Sequence, residues 1–72
     1  MNDNILMTFG KAVRKLRSER GISQEDFAEL CDLHRTYISD VELGKRNVSL
    51  ENIGKIAKAL NMSLSELFVE VE

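Results

Sequence analysis

The sequence predicts an all-α domain, a bundle of five short helices. Three observations carry that prediction. Apolar residues recur three and four apart in five successive segments. Each segment is bracketed by residues that start or stop helices, and no stretch alternates polar and apolar long enough to make a strand. Proline is absent from all 72 residues, which suits helices joined by short turns.

In the first segment Phe9, Val13 and Leu16 fall at i, i+4 and i+7, and Gly21 stands where a helix-ending residue belongs. Ser23-Gln24-Glu25-Asp26 opens the second in the manner of a capping box, and Phe27, Leu30 and Cys31 form its apolar stripe. A short turn, Asp32-Leu33-His34, leads to a third segment with Ile38 and Val41 on one face and a stop at Gly44. Ser49 caps the fourth, where Leu50, Ile53, Ala57 and Leu60 recur at helical spacing. Ser63 and Glu66 make a second capping box around Leu64, with Leu67 and Phe68 following. Lys45-Arg46-Asn47-Val48 read as a long turn and Met1 to Asn4 as a frayed end.

Length and composition narrow the function. Seventy-two residues predict one domain, 1–72, with no second domain to sense a small-molecule ligand. A single Cys and a single His can supply neither a disulfide framework nor a four-ligand zinc site, so no metal and no cofactor are expected. No nucleophile–base pair, carboxylate dyad or phosphate-cradling loop is visible, which argues against an enzyme. Apolar runs stop at three residues and no signal-peptide pattern appears, so the expectation is a cytoplasmic protein with no membrane partner.

The net charge of −2 would by itself disfavour a nucleic-acid partner, but the charge is sorted along the chain. Residues 1–22 carry five basic and two acidic groups, whereas 23–33 carry four acidic groups and no basic one. Residues 34–46 are again net positive, so a basic face can coexist with an acidic one. Two charges also break the apolar pattern. Arg17 lies four after Val13, and Glu42 four after Ile38, each on the face its helix should bury. Opposite charges in such places can satisfy each other, which would tie the first helix to the third.

The spacing from Ser23 to Glu42 is that of a helix-turn-helix over about residues 23–43, two helices of about eight residues with a short turn. The turn is too short for antiparallel packing, so the start of the second helix should project from the domain. Arg35, Thr36, Tyr37, Ser39 and Asp40 lie there around an inward Ile38, and such side chains suit base edges and phosphates. Ser23-Gln24-Glu25-Asp26-Phe27-Ala28, Arg35-Thr36-Tyr37-Ile38-Ser39 and Glu42-Leu43-Gly44-Lys45-Arg46-Asn47 together resemble the Cro/repressor-type, lambda-repressor-like helix-turn-helix regulators. Ser49-Leu50-Glu51, Ile56-Ala57-Lys58-Ala59-Leu60 and Ser63 to Phe68 are similar to the last two helices of that family, so the likeness spans about residues 9–68. The recognition-helix sequence and the small size further resemble the controller proteins of restriction–modification systems.

The resemblance implies a sequence-specific regulator of transcription that binds double-stranded DNA as a homodimer on a palindromic site. It implies base readout by Arg35, Thr36 and Asp40 from a recognition helix over about 35–43. Backbone contacts would come from Gln24, Tyr37, Ser39, Lys45, Arg46 and Asn47, and Arg17–Glu42 would be the internal ion pair. Four positions depart from the family pattern: Asp32 where Gly is usual, His34 in place of a hydroxyl or acidic cap, Leu43 where a basic residue is common, and Val48 where Pro is common. Asp32 is therefore expected at positive φ. One recognition helix reads too few base pairs for genomic selectivity, so a two-fold dimer is expected. Leu64, Leu67, Phe68 and Val71 form its candidate interface, supplemented by Ile5, Leu6 and Met7. The alternative is an antitoxin or phage-type repressor that uses the same fold with a protein partner. Antitoxins usually add a toxin-binding tail, for which only Val69 to Glu72 remain.

Overall fold

The computed structural model describes residues 4–71. Five helices follow in order: α1 (Ile5–Glu19), α2 (Gln24–Cys31), α3 (Arg35–Glu42), α4 (Leu50–Ala59) and α5 (Leu64–Val71). Met1 to Asp3, expected to fray, lie outside the described residues. Asn4, grouped with them, instead caps α1: its side chain accepts from the Met7 amide at 3.1 Å.

The hydroxyls of Ser23, Ser49 and Ser63 accept from the amides of Asp26, Asn52 and Glu66, so each helix gains a partner for one orphan N–H. At α5 the box is reciprocal, because the Glu66 carboxylate accepts from the Ser63 amide at 2.8 Å. His34 occupies the cap position of α3 but makes no side-chain cap bond.

The helix ends share one device. Gly21, Asp32, Gly44 and Asn61 all have φ between 59° and 77°. After each, the next amide reaches back five residues: Ile22 to the Arg17 carbonyl, Leu33 to Ala28, Lys45 to Asp40 and Met62 to Ala57. In three cases that next residue is apolar and packs on the core; Lys45 alone faces solvent. The chain is thus turned inward after α1, α2 and α4, and outward after α3.

The core is built where α1 packs on α3 and α5, α2 on α3 and α4, and α4 on α5. Val13, Phe27, Ile38, Ile56, Leu60 and Leu67 are fully buried. Gly10 permits the α1–α3 approach. A Cβ there would fall 2.8 Å from the Glu42 carbonyl oxygen and closer still to that of Val41. Cys31 is a buried core residue, and desolvation pushes its thiol pKa up to about 11.

The expected dimer face needs correction here. Leu67 is 0% exposed, so it belongs wholly to the chain's own core and offers no area to a partner, and Val71, at 7%, keeps only an edge on an apolar groove. Helix α5 is short and turns these two onto the rest of the core, leaving Leu64 at 43% and Phe68 at 41% exposure. Ile5, Leu6, Phe9, Asn47, Val48, Ile53, Phe68 and Val71 line an apolar groove between the start of α1, the α3–α4 loop and α5.

Candidate nucleic-acid interface

Helix α3 divides into faces by its own period. Ile38, Val41 and Glu42 are buried, Arg35, Thr36 and Leu43 are exposed, and Ser39 and Asp40 are half-buried beside them. Arg35, Thr36, Ser39, Asp40 and Leu43 therefore share one outward face at spacings of one, four, five and eight. Leu43, a departure from the family pattern in the sequence, owes its place on this face to the same period.

What fixes that face is the Glu42 carboxylate, 2% exposed, at the end of α3. Arg17 of α1 grips it with two bonds, Nε to Oε2 at 2.7 Å and Nη2 to Oε1 at 3.0 Å. The third nitrogen of Arg17 donates to the Ile22 carbonyl at 2.7 Å, which ties the α1–α2 turn to the same point. Hydrogen bonding to Glu42 holds the Arg17 pKa above its ordinary value, against the opposing effect of burial. Gln24, first residue of α2, donates its Nε2 to Glu42 Oε1 at 2.9 Å. Of the two amide hydrogens of Gln24, expected at phosphate, one is committed inside to Glu42 and one stays available. Arg17 and Glu42 thus hold both halves of the helix-turn-helix, with Gln24 as the link between them.

Tyr37 leaves the outward face. Its ring is half-buried against the core, and its hydroxyl accepts from Asn52 Nδ2 of α4 at 3.0 Å. Arg46 stacks over that ring at 5.1 Å, and its Nε donates to Asp40 Oδ2 at 3.4 Å. Lys45 and Asn47 are exposed in the same loop. Arg20 was not singled out from sequence, yet it donates to the Leu60 and Leu16 carbonyls and closes the ends of α4 and α1. Among the described residues no group of three or more His, Cys, Asp or Glu could hold a metal ion, and no helix is long and apolar enough to cross a membrane.

This arrangement presents hydroxyls, a guanidinium and a carboxylate on the outward face of α3, flanked by a basic loop. The helix-turn-helix family pattern matches residues 13–67, which include every element of it. The chain belongs to the helix-turn-helix family of DNA-binding transcription regulators. It is a non-enzymatic family. The chain is 56% identical over 68 residues to the control protein C.BamHI of Bacillus amyloliquefaciens, covering 93% of this chain and 84% of that one. It is 53% identical to the control protein C.MunI of a Mycoplasma species, covering 100% of this chain and 97% of the other. The crystal structure of the restriction–modification controller protein C.AhdI from Aeromonas hydrophila superposes with a TM-score of 0.85 at 51% identity, over 88% of this chain and 96% of that one. This helix-turn-helix regulator therefore shares both fold and sequence with controller proteins along most of its length.

Proposed function

We propose that the chain is the controller of a restriction–modification system, binding a palindromic operator as a homodimer with α3 in the major groove. The observation that carries the reading is the outward face of α3, anchored from behind by the Arg17–Glu42–Gln24 cluster. A helix held this rigidly can read bases, because its backbone does not have to be repositioned on binding and only the exposed side chains are ordered there. Arg35 offers a bidentate pair to guanine, Thr36 and Ser39 serve either strand or the sugar-phosphate, and Leu43 suits a thymine methyl group. Asp40 would accept from a cytosine amine. Lys45, Arg46 and Asn47 would grip the flanking backbone, with Gln24 adding a contact at the N-terminus of α2. Identities above 50% to control proteins and a controller structure support the biological role.

The second copy would add its own α3 one helical turn away, about 34 Å, with Phe68, Leu64 and the apolar groove beside Ile5 as the contact surface. Selection of bound duplexes from a random pool with the purified protein tests the whole reading. The expected outcome is a palindrome with half-sites about one turn apart. Recovery of no sequence, or of a single half-site, overturns it.

A further inference from the structure

Four residues from three parts of the chain are joined on one side of the outward face. Asn52, on the first turn of α4, donates to the Tyr37 hydroxyl at 3.0 Å. The Tyr37 ring carries the Arg46 guanidinium at 5.1 Å. Arg46 in turn pairs with Asp40 through Nε, and the two side chains are 49% and 30% exposed. Because Nε faces Asp40, both terminal nitrogens of Arg46 keep their hydrogens for another acceptor.

We infer that Asn52 is a positioning residue for the recognition surface, an inference that rests on the DNA-binding reading above. It touches no nucleic acid itself. It holds the Tyr37 hydroxyl, so that the ring stays a fixed platform and Arg46 lies where it does two things together. Its Nε cancels the charge of Asp40, which would otherwise face a polyanion unpaired, and its terminal nitrogens point a cation at phosphate. Neither contact of Arg46 is strong alone: an exposed ion pair and an exposed cation–π pair are each weak, and a long side chain loses freedom in making them. A platform fixed from α4 removes part of that cost. The discrimination credited to Asp40 thus depends on a residue twelve positions further along the chain, on a different helix.

The test uses the full chain and the variants Asn52→Ala and Tyr37→Phe, each of which removes one end of the anchoring hydrogen bond and keeps the cap of α4 intact. Without DNA, NMR should show the Arg46 side-chain protons shifted by the Tyr37 ring in the wild type, with that shift reduced in both variants while circular dichroism stays unchanged. On the selected duplex each variant should bind about two- to fivefold more weakly. The double variant should be no weaker than either single one, and Asp40→Asn should weaken binding less in the Asn52→Ala background than in the wild type, because the uncancelled charge is then removed. Arg46 shifts that are the same in Asn52→Ala as in the wild type overturn the inference, as do additive losses in the double variant. A wild type that selects no DNA overturns the regulator reading instead, and the Arg46 shifts then still decide whether Asn52 sets its position.

Discussion

Arg17 and Glu42, 25 residues apart in sequence, form a bidentate ion pair at 2.7 and 3.0 Å that joins α1 to the end of the recognition helix. Their side chains are 12% and 2% exposed, so removing one leaves the other charged in a place water barely reaches.

Arg17→Met or Glu42→Leu alone should cost about 3–5 kcal/mol of folding stability, read from urea midpoints. The double replacement should recover much of that loss, because two apolar side chains need no partner. Gln24 loses its acceptor in either Glu42 variant, which limits the recovery. Additive losses in the cycle would show that the pair is not a unit.

Arg35→Ala should weaken binding to the preferred site by about 1–3 kcal/mol and relax discrimination at one base pair, with little effect on random DNA. Equal losses on both would restrict Arg35 to phosphate.

Arg46→Ala should weaken binding to every sequence and flatten the dependence of log K on log salt by about one unit, provided its terminal nitrogens reach phosphate. An unchanged slope would restrict Arg46 to Asp40 and the Tyr37 ring.

Gly10→Ala and Gly54→Ala should act in opposite directions on stability. A Cβ at Gly10 meets the carbonyl oxygens of Val41 and Glu42, which are backbone and give way only if α1 and α3 separate. A loss of about 1–3 kcal/mol is expected. A Cβ at Gly54 meets nothing within 4 Å, so the variant should gain about 0.5–1 kcal/mol from helix propensity. Thermal or urea denaturation of the pair distinguishes steric from entropic effects.

Phe68→Glu should give a folded monomer in sedimentation with most affinity for the full palindrome lost, whereas Leu67→Glu should not fold. One position apart, the two residues are 41% and 0% exposed. A Phe68→Glu chain that stays folded and dimeric would place the interface elsewhere.

Much of the fold was legible in the sequence because the signals are local. The serine caps, the helical periodicity and the stops at Gly21 and Gly44 act within one or two turns of the residues that carry them. Even Asp32, standing where glycine is usual, was expected at positive φ and has φ 59°. Arg17 and Glu42 stood out for the same reason, as charges on faces that period alone marks as buried.

What the sequence could not decide is what stands opposite each face. Periodicity gives the direction of a stripe on a helix, not the element it meets. So the stripe of Leu64, Leu67, Phe68 and Val71 does not say which of its members pack inward; the fold takes Leu67 and Val71 into the core and leaves Leu64 and Phe68 at the surface. Gln24, read as facing phosphate, turns one hydrogen to Glu42, and the Tyr37 hydroxyl, read as facing the backbone, accepts from Asn52 and keeps its own hydrogen. The close approach at Gly10 carries no sequence signature beyond the glycine itself. Each of these is a contact between segments distant in the chain, and its energy depends on distances that exist only after the helices have packed. The sequence determined the helices and their ends; the tertiary structure decided which polar groups are left free to meet DNA.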